Sequence, residues 1–148
     1  MTSEPRLRAV PPAPPPGTVV DSSVILDILT QDPTWALWSE DALAQARNTG
    51  TLIINPIIYA EISTSFDRIE DLDDAIPATV FDREPLPYQA GFLAARAFLA
   101  YRKRDGERRS PLPDFYIGAH AAIRSYQLLT RDAACYRTYF PTITLICP

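Results

Sequence analysis

A chain of 148 residues that is 47% hydrophobic and carries a net charge of −4 has the makings of one globular domain around a single core. The acidic balance excludes binding of nucleic acid by bulk attraction and leaves only a local basic stripe or bound cations to hold a phosphate backbone. Two cysteines, Cys135 and Cys147, are too few for a disulfide framework or a zinc cluster, and the sequence has neither a long apolar run nor a signal-peptide core, so a reducing, cytoplasmic setting with no membrane partner is expected.

Residues 1–16 hold six of the fifteen prolines, a composition that predicts a flexible or polyproline-like leader, with the folded domain over 17–148. TVV at 18–20 predicts a short strand that stops at Asp21, followed by a helix with Asp21 or Ser22 near its cap. Asp32-Pro33 predicts a second helix with Pro in its first position, carrying Trp35 and Trp38 on one face and ended by Asn48 and Gly50. TLII at 51–54 reads as a strand, and Asn55-Pro56 opens a third helix by the same device, with Glu61 on the face that should be buried. In residues 67–76 the stripe Ile69, Leu72 and Ile76 backs an acidic helix whose charges face solvent.

An edge strand is expected over 78–81, a long helix over 88–101, and then a basic loop holding Arg102, Lys103, Arg104, Arg108 and Arg109. Asp114 falls at the opening of the next helix, where Gly118 and its neighbouring alanines permit close approach of another element. QLLT at 127–130 reads as a strand ending at Thr130 and Asp132; a short helix over 133–139 and a last strand over 143–147 complete the chain. Strands alternating with helices predict an α/β three-layer sandwich with a mainly parallel central sheet flanked by helices.

Four acids stand in otherwise apolar or tightly patterned stretches: Asp21 in VVDSSVILD, Glu61 in NPIIYAEIS, Asp114 in PLPDFYIGAHA and Asp132 in LLTRDAACY. Any one of them alone could equally be a helix cap or half of an ion pair. Buried carboxylates need compensation, and the only basic side chains placed to give it are Arg131, beside Asp132, and Arg68, at helical spacing from Glu61. The joint pattern points instead to a divalent cation, and all-oxygen ligands favour magnesium or manganese over zinc. In a parallel sheet the acids after strands and those at helix starts can meet beyond the carboxyl ends of the strands. Such a cluster suits attack of a metal-activated water on a phosphodiester.

The order Asp, Glu, Asp, Asp in those four motifs resembles a PIN domain, specifically a VapC-type ribonuclease toxin of a toxin–antitoxin pair, from about Gly17 to the end of the chain. The resemblance implies a PIN-like fold and an endoribonuclease in which Asp21, Glu61, Asp114 and Asp132 are the catalytic and metal residues, with Mg2+ or Mn2+ as cofactor. It also implies Ser22 and Thr130 as polar helpers that orient a ligand or water, RNA as substrate, a cognate antitoxin protein as partner, and a homodimer. Trp35 and Trp38 either form a patch for a partner or pack in the core.

His120, the only histidine, lies nearly two turns beyond Asp114 and is expected to pack or to face solvent away from the metal. The basic residues after position 101 either grip phosphates or are solvated. Two other classes of function remain open: a PIN-fold module that binds RNA or protein without turnover, and an aspartyl-phosphate switch with Asp21 as nucleophile. Against the latter, Ser23 stands where a second acid belongs and no strand-end lysine is present.

Overall fold

The computed structural model describes residues 17–105 and 112–148. Its strands are short and apolar: β1 (Thr18–Val20), β2 (Leu52–Ile54), β3 (Phe81–Arg83), β4 (Gln127–Leu129) and β5 (Leu145–Ile146). They form one sheet in the order β3-β2-β1-β4-β5, and every pairing is parallel. The central strands read as unbroken apolar runs because both their faces are covered: Val19, Val20, Leu52, Ile53, Ile54, Leu128 and Leu129 are all buried.

Among the described residues seven helices flank this sheet: α1 (Ser22–Leu29), α2 (Ala36–Thr49), α3 (Pro56–Ser63), α4 (Ile69–Ala75), α5 (Tyr88–Asp105), α6 (Leu112–Arg124) and α7 (Ala134–Tyr139). The predicted alternation of strand and helix is thus the architecture found, with a sheet that is wholly rather than mainly parallel. Asn55 caps α3 as expected, its side-chain oxygen accepting from the Ile58 amide at 3.0 Å with Pro56 in the first turn. Gly118 lets α6 meet Phe140 closely, since a Cβ there would lie 2.6 Å from the ring.

Three element boundaries and the burial of one residue differ from the sequence reading. Helix α2 starts at Ala36, three residues beyond Pro33, because the Asp32 carboxylate accepts from the amides of Thr34 and Trp35, both at 2.9 Å, and first closes a turn. Strand β3 falls at 81–83 rather than 78–81; the amides of Val80 and Phe81 instead donate to Pro77 in a turn. Helix α5 runs four residues past Tyr101, so Arg102, Lys103 and Arg104 stand on its last turn, where cations suit the helix dipole, and not in a loop. On α4, Leu72 is buried and Ile76 caps the buried end, but Ile69 is 61% exposed. The leader over 1–16 and residues Arg108 and Arg109 lie outside the described residues.

Topology fixes where a site can form. The chain leaves β1 toward β2 on one side, and β4 later returns to pair with β1 on the other side. The crevice beyond the carboxyl ends of β1 and β4 is therefore the switch point, where ligands of open α/β sheets collect. Asp21 follows β1 directly and Thr130 follows β4.

Candidate metal site

Asp21 holds the N-cap position of α1 but makes no capping bond with its side chain, so the bland reading of this acid as a cap fails. Its carboxylate is buried and held by hydroxyls. Thr130 Oγ1 donates to Oδ2 at 2.8 Å, Ser23 Oγ to the same oxygen at 3.4 Å, and Ser22 Oγ to Oδ1 at 3.5 Å. Burial raises the carboxyl above the usual carboxylate range, and these hydrogen bonds, with that of the Ser22 amide, offset only part of the rise. Ser22 and Thr130, expected as helpers that orient a ligand or water, instead spend their hydroxyls on the Asp21 carboxylate, and Ser23, which the sequence did not mark, joins them.

The other three acids surround Asp21. Glu61, on α3, is half-buried; its carboxyl is raised first by burial and then by the charges of Asp21 and Asp114. Asp114, in the first turn of α6, is pushed up to about 6 by burial, then by Asp21, then by Asp132. A helix N-terminus favours the ionised form, so its surroundings override the local dipole. The Tyr136 hydroxyl offsets a little of this without reaching hydrogen-bond geometry. Asp132 is exposed, and its amide donates to Thr130 Oγ1 at 3.1 Å. Asp21, Ser22, Asp114, Arg131, Asp132 and Tyr136 line one pocket of about 310 Å³ at the switch point. Glu61 does not line it and acts on it from α3 through its charge.

Two buried side-chain atoms among the described residues have no hydrogen-bond partner, Glu61 Oε1 and Tyr136 Oη, and both belong to this cluster. Orphaned polar atoms in one place signal a missing partner there. Among the described residues no three His, Cys, Asp or Glu side chains are arranged to hold one ion by themselves. Magnesium fits such a set, because it is ordinarily bound through one or two carboxylates and keeps several waters that reach the others. The donor set is hard oxygen apart from Cys135, whose thiol is pushed up to about 12 by burial and by Asp114 and Asp132.

Arg131 and Arg68 do not serve as the compensators the sequence offered. Arg68 pairs with Glu70 at 3.5 Å in solvent. Arg131 turns away from Asp132 and grips Asp27 with two bonds, Nε to Oδ2 at 2.8 Å and Nη2 to Oδ1 at 3.0 Å, while Ser39 Oγ donates to Oδ2 at 3.0 Å. Its guanidinium also lies 5.5 Å from the centre of the Trp35 ring. Trp35 packs edge to face with Trp38, and Trp38 packs against the core, while both remain partly exposed. Asp27 is, with Asp21, one of two fully buried acids among the described residues; it was missed because it occupies an ordinary position on a short helix whose cover comes from α2 and the loop after β4.

His120 is buried and points into a separate network. Asn55 Oδ1 accepts from Ile58, so its Nδ2 must donate to His120 Nδ1, at 3.0 Å; the histidine proton then sits on Nε2, which donates to Glu84 Oε2 at 3.1 Å. Burial lowers the His120 pKa, against the pull of Glu84. The expectation that it packs away from the acids is met.

A family model of the PIN domain matches residues 18–141. No curated protein matches the sequence significantly. Among solved structures, the chain is similar to VapBC2 from Rickettsia felis, bound to a DNA fragment of its promoter, with 14% identity over 88% of this chain and 98% of that one and a TM-score of 0.65. It is similar to VapBC-1 of nontypeable Haemophilus influenzae, with 14% identity, 88% and 97% coverage and a TM-score of 0.65. It is also similar to VapC20 of Mycobacterium tuberculosis, a toxin that cleaves the Sarcin-Ricin loop, with 15% identity, 82% and 94% coverage and a TM-score of 0.60. With that fold, that edge of the sheet and a family model spanning most of its length, the chain belongs to the PIN domain family.

Proposed function

We propose that the protein is a metal-dependent endoribonuclease acting as the toxin of a toxin–antitoxin pair, with Asp21, Glu61, Asp114 and Asp132 as its metal-site residues. The observation that carries the reading is the convergence on Asp21 of carboxyls raised by burial and by one another, with the unpartnered Glu61 Oε1 and Tyr136 Oη in the same place. Mutually repelling acids of this kind take up protons or a cation. Mg2+ or Mn2+ bound here would polarise a phosphodiester and lower the pKa of an attacking water.

The chain's own contributions are positional. Thr130, Ser22 and Ser23 fix both oxygens of Asp21, and Thr130 ties that carboxylate to the backbone of Asp132. Arg131, anchored on Asp27, leaves part of its side chain exposed at the pocket wall, where a phosphate would meet it.

Structural neighbours that are toxin–antitoxin complexes support an antitoxin as partner. A basic side chain from such a partner would be attracted to the carboxylates and silence them. We propose a homodimer as well, as the resemblance of the four acidic motifs to VapC-type toxins implies. Incubation of the purified protein with an RNA pool in Mg2+ or Mn2+, beside Asp114→Asn and an EDTA control, tests the reading. Cleavage that requires the metal and disappears in the variant is expected; identical behaviour of the two proteins refutes catalysis at this site.

A further inference from the structure

A second pocket, of about 300 Å³, opens between α3 and the segment after β3. It is small, at the lower limit of cavities that take small ligands. Strand register places it next to the acids. Thr18 pairs with Leu52, so Asp21 and Asn55 leave adjacent strands side by side, and Ile54 pairs with Arg83, so Glu84 comes next along the same edge.

The walls are mostly apolar, and Pro56, Tyr59 and Pro85 are among the residues that line them. Tyr59 is preset: its hydroxyl donates to Asp73 at 2.9 Å, and the Arg83 guanidinium, itself bonded to Asp73 at 2.9 Å, lies 5.1 Å from its ring centre. The one acid in the wall, Glu84, is fixed from behind at both oxygens, by the Tyr126 hydroxyl at 2.5 Å and by His120 Nε2 at 3.1 Å. Each carboxylate oxygen keeps a second lone pair, and 29% of the side chain remains exposed. The result is a rigidly held carboxylate in the lining of a mostly apolar pocket.

A mostly apolar pocket with one fixed carboxylate suits a planar group with two adjacent donors. Unstacked RNA bases are read by stacking on flat side chains and by hydrogen bonds along the Watson–Crick edge. Guanine alone presents two neighbouring donors there, N1–H and the 2-amino group; uracil sets two carbonyls about its single N–H and adenine sets a ring nitrogen beside its amino group. We propose that this pocket holds a guanine of the RNA strand beside the cleaved phosphodiester, with the Glu84 carboxylate accepting from N1–H and the 2-amino group. The inference rests on the reading of the chain as a ribonuclease, and it adds a base preference that the carboxylate cluster itself does not supply.

Binding is measured by fluorescence anisotropy with labelled pentanucleotides UUGUU, UUIUU and UUAUU in Mg2+, using the Asp114→Asn protein so that the strand survives. Inosine keeps N1–H and lacks only the 2-amino donor. Guanine is expected to bind about tenfold more tightly than inosine, the value of one hydrogen bond to a charged acceptor, and more tightly still than adenine. Glu84→Gln should abolish the preference. Because that change also disturbs His120 and Tyr126, Tyr59→Leu at the opposite wall serves as a second variant and should weaken all three oligonucleotides, with thermal melts checking the fold of each.

Equal affinity for the three strands overturns the proposal. So does tight binding of the peptide Gly-Arg-Gly that is lost in Glu84→Gln while the strands show no preference, since the pocket would then serve a protein arginine. Metal-dependent cleavage without guanine preference sinks this inference alone; guanine preference without cleavage by the native protein sinks the nuclease reading and leaves the pocket standing.

Discussion

Replacing Arg131 with Met removes the bidentate partner of Asp27, whose side chain is only 4% exposed. Methionine retains the apolar stem against Trp35 but leaves the carboxylate with the Ser39 hydroxyl alone. Breaking a buried pair from one side typically costs about 3–5 kcal/mol, because a charge is left uncompensated. Here the guanidinium side chain is 34% exposed, so water can enter behind the substitution and the cost belongs at the lower end, about 2–3 kcal/mol. For a domain of this size that corresponds to a fall in Tm of roughly 10 °C. The pair Asp27→Leu with Arg131→Met removes both charges and should recover most of the loss, to within about 1 kcal/mol of the native protein. Ser39 then turns to a carbonyl of its own helix. Urea and thermal unfolding of the native, single and double variants decide the matter. A single variant melting within about 2 °C of the native protein, or a double variant no more stable than the single, refutes the assignment of Arg131 as the buried partner of Asp27.

Asp114 should trade stability for function. Its folded pKa of about 6 exceeds the ordinary 3.8, so the folded state holds the extra proton between those values and stability falls as pH rises through that window. In metal-free protein, Asp114→Asn should therefore be more stable than the native protein by on the order of 1–2 kcal/mol at pH 7, with the gain gone near pH 3.5, while cleavage in Mg2+ is lost; thermal melts across pH in EDTA check this, and an equal gain at both pH values contradicts it. Thr130→Val removes the 2.8 Å donor to Asp21 and the acceptor of the Asp132 amide. At least about a tenfold fall in kcat, more than any rise in KM, is expected from steady-state cleavage kinetics, and an unchanged kcat argues that Thr130 has no positioning role. Below pH 6.5 the unfolded chain protonates His120 more readily than the folded one, so this residue withdraws stability as pH falls from 6.5 toward its lowered folded pKa. The native protein should lose more stability over that range than His120→Gln, and equal slopes in pH-dependent melts count against a neutral buried imidazole.

The acids that the sequence singled out were legible because each is tied to local structure. Asp21 ends an apolar run, Asp132 follows another, and Glu61 and Asp114 sit in the first two turns of helices with clear starts. Local pattern also located most elements, since strands buried on both faces and proline-marked helix starts leave strong signals. What the pattern could not carry was partnership across the fold. Asp27 looks like any polar residue on a short helix, and its burial depends on Ser39 from α2 and Arg131 from the loop after β4. Arg131 was read against its sequence neighbour Asp132, whereas the chain turns it toward a residue 104 positions away. Glu84, Tyr126, Asn55 and His120 come from four separate segments, and only the finished sheet and α6 bring them together. The shift of β3 has a similar origin, because pairing with β2 sets its register and nothing in residues 78–83 alone does.

The central claim, that carboxylates gathered around Asp21 hold a divalent ion, is tested most directly by Mn2+ binding, measured as loss of the free-ion EPR signal. Native protein, Asp21→Asn and Glu70→Gln would be titrated side by side, the last as a control on the solvent face of α4. The account predicts that Glu70→Gln binds as the native protein does and that Asp21→Asn binds at least about tenfold more weakly, as loss of a ligand or of its close support typically gives. Equal affinity of Asp21→Asn and the native protein would contradict it, since any bound ion would then be held without Asp21.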